Sequence, residues 1–371
     1  MTDFLKISGE FQLIKYIQRK VPPLQDKRVI LGIGDDSAVL QEAEGKYLLV
    51  TTDMLVENVH FNCLYSSFRQ IGKKALLVNI SDIAAMGGEP KFALVSLALS
   101  PHLLRKDFHE LIQGMVEIAG AYSILILGGD TNASYPSQNP PSDLKDLKNP
   151  PAGLIINITL LGEVSPEHLV TRRGAQKGDF ILLTGQVGGS AAGLDLLHAL
   201  KNPALGDSRL NPEELGGEGN IQRHRVPMVR LAESRIISQN LLATAMIDVS
   251  DGLAGDLRHL CQQAGAGAML WIDQLPVSEE TKKIAQAFHK PYLSYALSGG
   301  EDYELLFTCH PDRAREARQL IEQGTGTQVS IIGRITDKYE GIRLIDSHGH
   351  TVPAPESGFD HFQPGPEGNF G

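Results

Sequence analysis

The sequence predicts an α/β protein of two domains, and three observations predict it. At 371 residues the chain exceeds what one ordinary hydrophobic core encloses, so a pair of domains fits its size. Short apolar runs rich in β-branched residues alternate with longer segments of helical apolar spacing along most of the chain. Two stretches without any apolar period, 132–153 and 202–220, interrupt that alternation and read as surface inserts. The first domain is expected to close near residue 165, giving domains 1–165 and 166–371.

Taken in order, Gly9 to Val21 sets Phe11, Leu13, Ile14 and Ile17 on one helical face before Pro22-Pro23 ends it. Val29 to Ile33 reads as a strand running into Gly34-Asp35-Asp36, and Tyr47 to Thr51 as a second one ending at Thr52-Asp53. Ser67 to Ile83 is a long helical pattern that carries Asn79, Ser81 and Asp82. Phe92 to Leu99 predicts a strand, Leu103 to Ala121 a helix, and Ile124 to Leu127 a short strand entering Gly128-Gly129-Asp130-Thr131. A strand at 154–162 completes the first half.

The second half opens on Thr171-Arg172-Arg173-Gly174-Ala175 and a strand at 180–184. The turn Gly185 to Gly193, GQVGGSAAG, then enters a helix. A helix over 226–240 precedes the strand 244–247, which ends in Asp248-Val249-Ser250-Asp251-Gly252. A helix at 253–264, strands at 268–273 and 303–309, a helix at 313–323 and a strand at 328–334 continue the alternation.

Composition excludes several function classes. Acids outnumber bases by 44 to 34, a formal charge of -10, which lacks the footprint of a nucleic-acid or anionic-membrane binder. An acidic chain can still handle phosphates where metal ions invert the local charge. Cys63, Cys261 and Cys309 are too scattered for a zinc pattern or a disulfide framework. The N-terminus lacks the pattern of a secretory signal, and no apolar run approaches the ~20 residues of a bilayer span. These features lead to the expectation of a soluble cytoplasmic protein.

The chemistry lies in the acids. Asp35 and Asp36, Asp53, Asp82, Asp130, Asp248 and Asp251, and Glu301 and Asp302 all sit beside Gly, Ser or Thr at expected strand ends or helix starts. Singly, each fits an N-cap or a turn. Six segments ending alike suggest convergence, and carboxylates ~4 Å apart repel by about 4 kcal/mol at an effective dielectric near 20. Cations would have to neutralise them. Carboxylates with the hydroxyls of Thr51 and Thr52 form an all-oxygen set that suits magnesium.

For phosphate, the sequence holds no Walker A motif and no protein-kinase signature. GQVGGSAAG could cradle phosphate on a helix N-terminus or simply begin the helix. Gly128-Gly129 allows close backbone approach. Arg172 could clamp phosphate or be a solvated arginine like its neighbour Arg173. His60 fits either a substrate contact or a half-exposed histidine. Spacing suggests no covalent nucleophile, which favours direct transfer between bound substrates.

Together, GIGDDSAVL (Gly32–Leu40), TTDMLVENVHF (Thr51–Phe61), NISDIAAMGGEP (Asn79–Pro90), GGDT (Gly128–Thr131), TRRGAQKGD (Thr171–Asp179), IDVSDGLAGDL (Ile247–Leu257), SGGEDYELLF (Ser298–Phe307) and GFDHF (Gly358–Phe362) resemble the thiamine-monophosphate kinase family. The resemblance implies an ATP-dependent kinase converting thiamine monophosphate into thiamine diphosphate. It implies the two-domain α/β fold of aminoimidazole ribonucleotide synthetase and selenophosphate synthetase, with N-terminal domains pairing into a β-barrel in a homodimer. It also implies magnesium ions held by Asp36, Thr51, Thr52, Asp53, Asp82, Asp130, Asp248 and Asp251. ATP would be held by Gly129, Asp130, Arg172 and Ser250, and thiamine phosphate by His60, Glu301 and Phe359. Asp53, Asp82, Asp130 and Asp248 would be the catalytic carboxylates, while Asp35 orients the turn. The alternatives are another synthetase of the same fold and a non-catalytic nucleotide-binding maturation protein. The first Cys falling only at Cys63, and the presence of both His60 and the Glu301 segment, argue against them.

Overall fold

The computed structural model describes residues 26–42, 45–134, 153–201, 212–337 and 341–355. The helix expected over 9–21, most of the Pro-rich insert and Phe359 lie outside the described residues.

The first domain is built from β1 (Val29–Leu31), β2 (Ala38–Gln41), β3 (Tyr47–Val56), α1 (Phe68–Ala85), β4 (Glu89–Leu99), α2 (Arg105–Ala121), β5 (Leu125–Ala133) and β6 (Ile155–Val164). The sheet runs β1-β2-β3-β6-β4-β5, antiparallel except where β4 meets β5. Leu49, Thr51 and Leu55 are buried on one face of β3, while Thr52 and Met54 are exposed on the other, the alternation of a half-covered sheet. Asp53 and Asp130 do not end their strands as expected. Asp53 sits inside β3 opposite Ile158, and Asp130 inside β5 opposite Ser96, because ladder pairing continues past both.

The second domain contains β7 (Phe180–Thr184), α3 (Gly189–Lys201), α4 (Pro212–Leu215), α5 (Glu218–Arg225), α6 (Leu231–Gln239), β8 (Ala245–Asp248), α7 (Leu253–Ala264) and β9 (Ala266–Trp271). It continues with α8 (Glu279–Ala287), α9 (Tyr292–Ser298), β10 (Leu305–Cys309), α10 (Pro311–Thr325), β11 (Val329–Asp337), β12 (Ile342–Ile345) and β13 (Thr351–Pro353). Its sheet runs β13-β12-β9-β11-β7-β10-β8, and only β12 and β9 are parallel. The short β2, β12 and β13 and the helices α4, α5, α8 and α9 add to the elements read from the sequence, and α4 with the start of α5 lies inside 202–220, where an insert was expected.

Helix α1 joins the halves. It packs on β3 and β6 on one side and on β8 and α6 of the second domain on the other. Ser67 opens it with a capping box, its hydroxyl accepting from the Gln70 N–H while the Gln70 side chain accepts from the Ser67 N–H. Most of its length is buried, including Ile71, Leu76, Ile80 and Ile83, each worth roughly 1.5–3 kcal/mol. Gly72 and Gly114 let α1 and α2 touch: a Cβ on Gly72 would stand 2.0 Å from the Leu111 carbonyl oxygen. Among the described residues no helix is long and apolar enough to cross a membrane.

Candidate active site

Where α1 meets β8, carboxylates from three segments converge. Asp36 comes from the turn after β1, Asp82 from the last turns of α1, and Asp248 from the end of β8. Each offers an oxygen within 4.8 Å of the others. The Thr51 hydroxyl donates to Asp82 Oδ2 at 2.5 Å, and the Ser81 hydroxyl to Asp248 Oδ2 at 2.6 Å. The Asn79 side chain accepts the Asp53 N–H at 3.2 Å. Helical spacing thus lets one turn of α1 address both domains.

The cluster is electrostatically uncomfortable. Burial, then the charges of Asp53, Asp248 and Asp36, push the Asp82 carboxyl well above the usual range. Burial, then Asp36, pushes Asp248 up to about 8. These are the marks of a site that a divalent cation would stabilise, and its donors are all oxygen, as magnesium prefers.

Of the two adjacent arginines, Arg173 is exposed and Arg172 turns inward. Arg172 Nε lies 3.1 Å from Asp36 Oδ2, and Nη2 bonds Asp36 Oδ1. The Arg172 N–H reaches Asp35 Oδ2 at 3.3 Å, and Asp35 Oδ1 also accepts the Asp36 N–H at 3.1 Å. Asp35 therefore ties the turn to the second domain. Burial, then Asp36, raises its carboxyl to about 6.

Other expected residues lie elsewhere. Thr52 faces away from Thr51 and Asp53, its hydroxyl 3.2 Å from that of Thr159 on the open side of the sheet. Asp130 shares that open face through the row Met54, Asn157, Ser96, Asp130, and it accepts from the Thr131 N–H and the Asn132 amide. A Cβ on Gly129 would fall 1.7 Å from the Val95 carbonyl oxygen, so β4 alone requires that glycine. In GQVGGSAAG the N–H groups of Gly188 and Ser190 donate to Asp302 at 2.6 and 3.2 Å. Asp302 caps α3 from within the chain, and this turn is a helix entry with its anion built in.

Ser250 and Asp251 follow β8, and Gly300 is pressed against them: a Cβ there would lie 2.6 Å from the Ser250 carbonyl oxygen. That oxygen also accepts the Glu301 N–H at 2.6 Å. Glu301 and Tyr303 adopt φ of 57° and 51°, unusual for side-chain-bearing residues and a local strain at the site. The Tyr303 ring is buried in the first domain's core near Glu301, Asp53, Asp248 and Asp251.

Glu301 is held by two residues the sequence reading missed. Lys74 Nζ lies 2.7 Å from its Oε1, and His224 Nδ1 3.0 Å from its Oε2. Burial opposes its charge, but Lys74 and His224 prevail and hold its carboxyl down at about 2. Lys74 also donates to the His60 carbonyl at 2.8 Å. His60 Nδ1 accepts the Val56 N–H at 3.0 Å, which leaves the ring proton on Nε2. A lysine at a buried helix position resembles a snorkelling surface residue in sequence, so no local signal marked it.

Residues 34–164 match the family model "AIR synthase related protein, N-terminal domain", and residues 176–345 match its C-terminal counterpart. The thiamine-monophosphate kinase of Bacillus subtilis (strain 168) is 32% identical over 357 residues, covering 95% of this chain and 99% of the relative. The chain belongs to the thiamine-monophosphate kinase family. The kinase of that name from Aquifex aeolicus (strain VF5) is 36% identical over 307 residues, covering 83% and 87% of the two chains. The solved structure of AaThiL complexed with AMPPCP and TMP superposes with a TM-score of 0.76 at 32% identity, covering 95% of this chain and 97% of the other. The hydrogenase maturation protein HypE in complex with ATP, at 17% identity and TM-score 0.65, shares the fold. The kinase family thus has the two-domain architecture found here, in mixed rather than parallel sheets.

Proposed function

We infer that the protein transfers the γ-phosphoryl group of ATP to thiamine monophosphate, yielding thiamine diphosphate and ADP. The observation that carries this reading is the Asp36–Asp82–Asp248 cluster at the domain junction, in a chain related along its length to thiamine-monophosphate kinases. A phosphate oxygen of the acceptor attacks the γ-phosphorus in line, and the bond to the β–γ bridging oxygen breaks as ADP leaves. The acceptor oxygen is already anionic, so no strong general base is required.

Asp36, Thr51, Asp53, Asp82, Asp248 and Asp251 would hold magnesium ions, whereas the Thr52 hydroxyl lies on the other face of β3. Bound there, magnesium would neutralise the carboxylates and offset repulsion between the two phosphate chains. Arg172 and Ser250 contact ATP on the second-domain side. His60, Glu301 and Phe359 bind the thiamine end.

Gly129 and Asp130 fit a homodimer. Met54, Leu94, Leu125 and Leu127 leave large apolar side chains exposed on the first sheet. Pairing of two such sheets into a barrel covers them and carries Asp130 toward the partner's nucleotide. The test is ADP release from ATP and magnesium, with and without thiamine monophosphate. Release that requires thiamine monophosphate supports the kinase; release that ignores it, or ATP binding with no turnover, overturns it.

A further inference from the structure

Lys74 is 2% exposed, in the middle of a helix whose neighbours are Ile71, Ala75 and Leu77. For stability alone an apolar side chain serves this position better, since burying an ammonium carries a desolvation cost that pairing offsets only with good geometry. Both hydrogen bonds of the ammonium go to residues assigned above to the acceptor: the His60 carbonyl of the first domain and the Glu301 carboxylate of the second. His224, itself 4% exposed, takes the other Glu301 oxygen, and the Ser190 hydroxyl meets the same His224 nitrogen at 3.1 Å. The Tyr65 ring lies 6.3 Å from that of His224 and 5.8 Å from that of His198. Glu301 is thus fixed at both oxygens and, through Ser250, at its main chain.

We propose that Lys74 and His224 are a positioning pair that holds Glu301 against the His60 loop, and so sets recognition of the thiamine moiety of thiamine monophosphate, the part away from its phosphate. This rests on the reading of Glu301 and His60 as acceptor-binding residues. Neither Lys74 nor His224 belongs to the Asp36–Asp82–Asp248 cluster where the phosphates would meet. The pair acts on where Glu301 stands and therefore on acceptor binding rather than on ATP.

The test is steady-state kinetics of the full chain with each substrate varied. Lys74→Met is expected to raise KM for thiamine monophosphate at least about tenfold, as loss of one partner of a buried charge pair does, and to leave KM for ATP within about twofold. In a Glu301→Gln background the same change is expected to add less than about twofold, the signature of two residues acting through one contact. Equal effects on both substrates, or a full tenfold loss in the Glu301→Gln background, would overturn the proposal. His224→Gln carries the same expectations and decides the matter if Lys74→Met does not fold. Failure of the kinase reading shows separately, as wild-type protein without acceptor-dependent ADP release. Calorimetric titration with thiamine monophosphate then judges the pair: weaker binding by Lys74→Met supports it, and unchanged binding rejects it.

Discussion

Arg172 of the second domain grips Asp36 of the first at two points, with side chains only 18% and 1% exposed. The guanidinium occupies the flank of a carboxylate cluster that would otherwise face its neighbours unneutralised. Removing one member of a buried ion pair costs about 3–5 kcal/mol. Arg172→Ala is therefore expected to melt well below wild type in EDTA, and the gap should narrow when magnesium supplies the missing charge. Thermal unfolding in EDTA and in magnesium checks this. An equal gap in both would show that Arg172 and the cation do not share Asp36.

Asp82 presents the opposite case. Burial and the charges of Asp53, Asp248 and Asp36 all disfavour its ionised form. A raised carboxyl contributes stability that is present below its unfolded value and lost as pH rises through its folded one. Near neutral pH Asp82→Asn is thus expected to melt at or above wild type in EDTA, while turnover falls to background. Asp53→Asn is expected to lose turnover and stay folded. Normal turnover of either purified variant at limiting magnesium would sink the metal assignment.

Glu301 runs the other way in pH. Its carboxyl is held at about 2 in the folded protein against an ordinary value of 4.5. Its ionised form therefore adds stability above about pH 4.5, of order a few kcal/mol, and that contribution disappears as pH falls through about 2. Urea melts of wild type and Lys74→Met along this range are expected to converge toward acid. A constant difference across the range would show that Lys74 acts on stability without acting on the Glu301 charge.

The exposed apolar face of the first sheet makes a further prediction. Leu127, 62% exposed on β5, is expected to be buried by a second chain. Leu127→Asp should convert a dimer into a monomer by light scattering and reduce turnover together with assembly, because Asp130 lies three residues along the same strand. A variant that stays dimeric and active would argue that the sheets do not pair through this edge.

Much of the carboxylate cluster was legible because chain punctuation marks it. Gly34 before Asp35-Asp36 and Asp248 at a strand end stand out locally, and Asp36 and Asp248 do converge. Asp302 looked equivalent to them, yet it serves as the cap of α3, a role set by where a helix 112 residues earlier in sequence starts. Lys74 and His224 were invisible for the reverse reason. Their meaning comes from a tertiary partner, and a lysine among apolar helix residues has the same local pattern whether it reaches water or a buried carboxylate. Thr51 and Thr52 were indistinguishable until the pleat of β3 assigned them to opposite faces.

Helix α1 carries Lys74 at one end of the site and Asp82 at the other, eight residues and roughly 12 Å apart along the helix axis. On the proposed assignments the helix would work as a gauge for the length of the molecule to be accepted. Substitutions near Lys74 could retune the head of the acceptor while the phosphate end stays intact. A single inserted residue between the two could not, since it would swing one end about 100° around the axis from the other. Divergence toward new acceptors is thus open to replacement in this helix and closed to insertion.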